Sequence, residues 1–144
     1  MHDELLGLLV GLDGVAQDAR YHPEGDALFH SLQVFDLARS ATSDRELWAA
    51  ALFHDVGKAF DSATHDDVGA DLLEGLVSDR VVWLVRHHLD LLRDPRRTRA
   101  RLRGTAELAD LERLRRWDLG GRRPNALVPT TEDAIFLLQH ERTD

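Results

Sequence analysis

Apolar side chains recur along this chain at three- and four-residue intervals, the spacing of one helical face, with short polar breaks between runs. Leu5, Leu8, Leu9 and Leu12 share one side of a helix expected over 3–20, with a weak point at Asp13-Gly14. His22-Pro23 then breaks the chain, because the residue before a proline avoids the helical region. Over 25–40 the pattern resumes with Leu28, Leu32, Phe35 and, one turn on, Ala38 or Arg39. Ser43-Asp44-Arg45-Glu46 reads as a capping box opening an apolar helix that ends at His54. Thr64 or Asp67 starts a helix to about Leu76. Ser78 starts the next, whose Val81, Val82, Leu84 and Val85 lead to His87-His88. Asp94-Pro95 is a further break. Thr105 opens a helix through Trp117, and Thr130-Thr131 opens the last, through His140, with Gly120 to Pro129 as the expected loop. No stretch alternates as a strand would, so the pattern predicts an all-α protein.

Composition narrows the chemistry. A chain of 144 residues is expected to form one domain, 1–144, around one core. It has no cysteine, so a bound metal has to take imidazole and carboxylate ligands. It has no apolar run of the length that spans a bilayer, and the acidic start Met-His-Asp-Glu is unlike a secretory signal. The expected location is cytoplasmic, with no membrane partner. The net charge of −8 is uneven: residues 1–92 carry −11, 93–103 carry +5 and 104–144 carry −2. The overall acidity argues against coating a long nucleic acid, duplex DNA above all. The arginine run 93–103 is read either as a contact for a phosphate or an RNA end, or as a solvated connection.

The richest stretch is Leu52-Phe53-His54-Asp55-Val56-Gly57-Lys58-Ala59. It places an imidazole and a carboxylate side by side where an apolar helix meets a glycine. On a helix such neighbours diverge by roughly 100°, but at a helix end both can turn to one ion. His-Asp also occurs at His2-Asp3 and His65-Asp66, so the dipeptide alone carries little and its context carries the signal. Lys58 is the chain's one lysine. A divalent cation needs further ligands from other helices. His30 is one candidate, although a histidine on an apolar face is more often a hydrogen-bonded core residue. Asp118, at the end of the Thr105 helix, is another, although a carboxylate there is more often solvated.

Five segments, in order over residues 17–123, resemble the HD domain superfamily of metal-dependent phosphohydrolases. The nearest likeness is to the HD domain of bacterial tRNA nucleotidyltransferases, the CCA-adding enzymes. The segments are His22-Pro23-Glu24-Gly25-Asp26 with His30-Ser31-Leu32, Leu52 to Lys58, Thr64-His65-Asp66-Asp67-Val68-Gly69-Ala70, Arg86-His87-His88-Leu89, and Asp118-Leu119-Gly120-Gly121-Arg122. The third departs from the family's pattern, with threonine for glycine and aspartate for glutamate. About 20 residues precede the first segment, so the expectation is an HD module standing alone, without a nucleotidyltransferase head.

The resemblance implies an all-helical fold with His30, His54, Asp55 and Asp118 as the ligands of a divalent ion, one of Mn, Ni, Co, Fe, Mg or Zn. It implies a metal-dependent phosphohydrolase acting on small nucleotide phosphoesters. 2′,3′-Cyclic nucleotides are the first choice, followed by nucleoside monophosphates and dinucleoside polyphosphates. A module that binds a nucleotide or an RNA end without turnover is the reading from another class. Lys58, beside the ligands, suits the steadying of phosphoryl charge, against the alternative of a lysine interacting with a helix dipole. His65 and His88 are candidates for a general acid, a phosphate contact or ligands of a second ion, against surface or capping histidines; His87 has the weaker case. His22 lines the cleft or serves a turn, and Arg122 is expected to face the substrate. Oligomeric state is not legible.

Overall fold

The computed structural model describes residues 2–140, so Met1 and residues 141–144 of the expected 1–144 domain lie outside it. The helices in chain order are α1 (His2–Val10), α2 (Ala27–Ala41), α3 (Arg45–Phe53), α4 (His65–Leu73), α5 (Asp79–His87), α6 (Asp90–Arg93), α7 (Pro95–Arg101), α8 (Ala106–Gly120) and α9 (Thr131–His140). A 3₁₀ turn, Val56–Ala59, follows α3. Among the described residues there is no strand, only one isolated bridge between Glu74 and Val77. The protein is all-α, as the periodicity predicts.

α3 is the axis of the fold. Its residues Leu47 to Phe53 are all buried, which marks a helix surrounded on every side rather than an amphipathic surface helix. α2, α5, α8 and α9 pack around it. Phe35, Val34 and Ala38 from α2, Leu84 and Val85 from α5, Leu111 and Leu114 from α8, and Ile135 from α9 join α3 in one apolar core. Outside that core, Arg80 of α5 pairs with Asp44, Glu46 and Asp110 at 2.8–3.2 Å, joining α5 to the start of α3 and to α8.

Most helix starts sit where the caps predict, because a capping oxygen satisfies an amide that the helix cannot. Asp26 accepts from Phe29 N, Ser78 from Val81 N and Thr105 from Leu108 N. The cap of α3 differs by one residue: Asp44, not Ser43, accepts from the amides of Glu46 and Leu47. α4 ends at Leu73, short of Leu76.

Two differences matter more. The helix expected over 3–20 stops at Val10, and Gly14 adopts a positive φ of 77°, a conformation that glycine reaches without a Cβ penalty. Residues 15–24 therefore run as a loop along one side of the molecule. The arginine run is not a loose connection. Asp94 caps α7 through Arg97 N, with Pro95 at its first turn, where a missing N–H costs nothing. Four of its six cations are engaged: Arg93 with Asp66, Arg97 with Asp94, Arg99 with Glu112 and Arg101 with Asp90.

The 3₁₀ turn lies hard against the start of α4. A Cβ on Gly57 would stand 2.2 Å from His65 O and 2.8 Å from Gly69 N, both backbone atoms. Gly57→Ala is therefore expected to lower the unfolding free energy by about 2 kcal/mol or more, read as a fall in Tm by calorimetry. Wild-type stability in this variant would show that the close approach is unimportant.

Candidate metal centre

Four of the predicted residues meet at the inner end of α3. His30 comes from the first turn of α2, His54 from the C-terminal end of α3, Asp55 from the step into the 3₁₀ turn, and Asp118 from the last turn of α8. Asp118 Oδ1 lies 2.8 Å from His30 Nε2 and 3.4 Å from His54 Nε2. Asp55 Oδ2 lies 3.3 Å from His54 Nε2 and 3.7 Å from His30 Nε2. All four are buried.

The other carboxylate oxygen of Asp55 faces a second pair of imidazoles. Oδ1 lies 3.3 Å from His65 Nε2 and 3.7 Å from His88 Nε2, and these two nitrogens are 3.2 Å apart. His65 is the first residue of α4, and His88 is the residue at which α5 ends. Both are buried. His87 points elsewhere and bonds Asp90.

One local device orients three of these rings. His54 Nδ1 donates to Ala51 O, His65 Nδ1 to Ser62 O and His88 Nδ1 to Val85 O, at 2.6–2.8 Å and always to the carbonyl three residues back. His30 Nδ1 instead reaches Gly121 O at 2.8 Å and Glu24 Oε2 at 2.9 Å. Gly121 lies so close to α2 that a Cβ there would meet Val34 Cγ2 at 2.7 Å. Carbonyls only accept, so each Nδ1 carries a proton, and Nε2 is the atom that each ring turns inward, with a lone pair to offer whenever the ring is neutral.

This donor set fits a divalent cation. Lone pairs facing carboxylate oxygens repel unless a proton or a metal lies between them. His54 Nε2 is buried and has no well-formed hydrogen bond among the described residues. His30, His54 and Asp55 form one cluster able to hold a metal ion, and Asp55, His65 and His88 form another. Burial works to raise the Asp55 pKa, but His54, His65 and His88 outweigh it and hold the carboxyl well below the usual range. Asp118 is held low against the same burial by His30 and His54.

Above the cluster the protein opens into a cleft. An inner compartment of about 150 Å³ is lined by Asp55, Asp118, His65, His88, Lys58, Arg115 and Arg122, among others. It shares His22, Lys58, His65, Leu92, Arg115 and Arg122 with an outer compartment of about 700 Å³. Lys58 Nζ donates to Gln17 Oε1 at 2.6 Å and lies 3.3 Å from Asp55 Oδ2. It points into the site rather than to a helix-end carbonyl. Arg122 donates to Tyr21 O at 3.0 Å. The residues lining both compartments include none of 93–103, so the cations at this site are Lys58, Arg115 and Arg122 and not the arginine run.

Sequence reasoning missed three contributors. Glu24 is buried and accepts from His22 Nδ1 at 3.0 Å as well as from His30; its place inside the His22 to Asp26 segment was the available signal. Arg115 stands one turn before Asp118 on the same face of α8, 3.6 Å from its carboxylate. Gln17 lies in the stretch expected to be helical, where nothing pointed to a cleft.

A family model for the HD domain matches residues 28–119, from the first turn of α2 to the end of α8. The chain belongs to the HD domain family. HD domains bind divalent metals and are in general metal-dependent hydrolases. This HD domain is also similar to parts of larger curated proteins, each named Multifunctional CCA protein. With that of Halorhodospira halophila it shares 39% identity over 74 residues, 46% of this chain and 18% of the relative. With that of Methylobacillus flagellatus it shares 34% over 100 residues, 58% of this chain and 24% of the relative. With that of Nitrosococcus oceani it shares 49% over 47 residues, 33% of this chain and 12% of the relative. The matched stretch thus spans a quarter or less of each relative.

The metal-free cluster holds protons that a cation must displace. Burial lowers the His30 and His54 pKa values, but Asp118 and Glu24 for His30, and Asp55 and Asp118 for His54, outweigh it. They raise the two from 6.5 to about 9 and about 10. Raised values mean that these imidazolium–carboxylate pairs stabilise the metal-free fold fully below pH 6.5 and cease to do so as pH climbs through 9 to 10. Metal affinity runs the other way and is expected to rise with pH across 6–8, with release of roughly two protons per ion at the His30–His54 cluster. Calorimetric titration with Mn²⁺ in buffers of different ionisation enthalpy measures this. A proton count of zero would mean that the rings are already neutral.

Proposed function

We propose that this HD domain is a metal-dependent phosphohydrolase of mononucleotide-sized phosphoesters, with 2′,3′-cyclic nucleotides as its first substrates and nucleoside monophosphates next. One observation carries the reading: Asp55 turns one carboxylate oxygen to His30 and His54 and the other to His65 and His88, at the floor of a cleft edged by Lys58, Arg115 and Arg122. The relatives' name, with its reference to CCA, supports a nucleotide or an RNA end as the class of ligand. The whole 1–144 chain is proposed to act as one domain.

In this reading His30, His54, Asp55 and Asp118 hold one divalent cation, and Asp55, His65 and His88 hold a second. The lone pairs of His65 and His88, set 3.2 Å apart against the same carboxylate, favour the ligand role over that of a general acid. Cations so held would supply the polarisation of a phosphoryl oxygen and the acidification of a water molecule. The residues of the chain do the rest. Lys58 extends Nζ over Asp55, where it can meet an oxygen that gains charge during attack on phosphorus. Arg122 and Arg115 flank the passage between the compartments and can hold non-bridging oxygens in place. His22, with Nδ1 fixed by Glu24, lines both compartments and serves substrate binding.

Metal content separates the roles. The wild type is expected to carry two ions per chain by elemental analysis. His88→Ala should carry one with most helicity retained, and Asp55→Ala none. Two ions retained in His88→Ala would remove the second site.

Activity tests the reaction. Metal-depleted protein is expected to hydrolyse 2′,3′-cyclic nucleotides only after addition of Mn²⁺, Co²⁺ or Ni²⁺. Lys58→Ala should keep its metal and lose about 100-fold or more in turnover. Full activity in that variant would return Lys58 to a structural role. Tight binding of long RNA with steep salt dependence, and no turnover of any mononucleotide, would favour the non-catalytic RNA-end module instead.

A further inference from the structure

The outer compartment differs in chemistry from the inner one. Its volume of about 700 Å³ far exceeds what a phosphate group needs and falls in the range of small-molecule sites. Its lining includes Val15, Ala16, Tyr21, Leu92 and Leu119 beside the cations shared with the inner compartment. Tyr21 is 59% exposed, Leu92 55% and Leu119 49%. Isolated exposed apolar residues are ordinary, but these three come from different parts of the chain and line one concavity. The Arg20 guanidinium lies over one side of the Tyr21 ring at 5.5 Å and pairs with both carboxylate oxygens of Asp18.

Arg122 couples this apolar part to the ionic floor. It lines both compartments and donates to the carbonyl of Tyr21 itself. A ligand whose phosphate lies between Arg122 and Lys58 would therefore carry its next group toward Tyr21, Leu92 and Leu119. A flat apolar ring suits that environment, and a bare sugar or a second phosphate does not.

Resting on the phosphohydrolase reading, we propose that the Tyr21–Leu92–Leu119 wall is a nucleobase subsite, with Tyr21 as the stacking platform. The wall selects nucleotides over phosphoesters that lack a base. It reads the π-face rather than the hydrogen-bonding edge, so it tolerates different bases.

Binding to the Mn²⁺-loaded full chain, read by rapid mixing before any turnover, tests this. AMP and ribose 5-phosphate share phosphate and sugar and differ only in the base. AMP is expected to bind about tenfold tighter or better, the range of one base–aromatic stack. Tyr21→Ala should erase most of that advantage while leaving ribose 5-phosphate affinity as it is, and Tyr21→Phe should keep it. Equal affinity of the wild type for the two ligands, or binding of neither, would overturn the subsite. So would an equal loss for both ligands in Tyr21→Ala, which would mark a structural role. Preference for AMP with no hydrolysis of any phosphoester would leave the subsite standing and overturn the hydrolase reading. Hydrolysis without base preference would do the reverse.

Discussion

A carboxylate only 2% exposed, Asp55, is the constraint around which this protein is arranged. An ionised carboxylate taken out of water is costly unless it is surrounded by hydrogen-bond donors or cations. Here the surroundings are four imidazole nitrogens and one ammonium, all within 3.7 Å. They come from α2, the end of α3, the start of α4, the end of α5 and the 3₁₀ turn. The helices must therefore meet where their ends, rather than their middles, face one another. This fits two of the rings that use the carbonyl three residues back: His54 and His88 stand at helix C-terminal ends, where the last carbonyls lack helical partners, while His65, at the start of α4, uses Ser62 O in the turn before it. It also explains Gly57, set against the backbone of α4, and Gly121, set against the Val34 side chain of α2.

The sequence shows the fold more readily than the cleft, and for a physical reason. Caps and apolar periodicity are local signals. Asp26, Ser78 and Thr105 mark helix starts by chemistry confined to one turn, and α3 announces itself by an unbroken apolar run. The cleft is built from what periodicity leaves undecided. Leu12 and Val15 extend the apolar pattern of α1, yet Gly14 ends that helix and frees Val15 to His22 to form a wall. Gln17 and Tyr21 are illegible as site residues for that reason, whereas Glu24 has a signal in its place within the His22 to Asp26 segment. The arginine run misled in the opposite sense. Six cations in a row of eleven residues suggest a ligand, but most of them meet carboxylates of their own neighbourhood. Density of charge along a chain says little about where that charge points.

The candidate ligands occupy a middle position. His54-Asp55 stood out by context, while His30 and Asp118 taken alone were unremarkable. The resemblance to HD domains joins them, and the structure brings His30 and His54 within 3.4 Å of Asp118 Oδ1 and within 3.7 Å of Asp55 Oδ2. His65 and His88 were legible as chemistry but not as a pair. Residue spacing cannot reveal that two rings 23 positions apart face one oxygen of a third residue.

Buried polar clusters of this size are poor devices for stability alone. A well-packed apolar replacement for a buried ion pair is often neutral or stabilising by about 1–4 kcal/mol. The rest of this core shows that the chain builds apolar packing readily: α3 buries seven consecutive residues, Leu47 to Phe53. Against that background Glu24, His30, His54, Asp55, His65, His88 and Asp118 make a costly interior that its own hydrogen bonds satisfy only in part, since His54 Nε2 still lacks a well-formed partner among the described residues. The cost has a physical sense if the cluster's partner is a cation with more charge than a proton. The same logic extends outward. An acidic chain of net −8 places Lys58, Arg115 and Arg122 around one opening while its arginine run pairs mostly with carboxylates elsewhere. Local attraction there acts on an anion small enough to enter, and the remaining surface disfavours a long one.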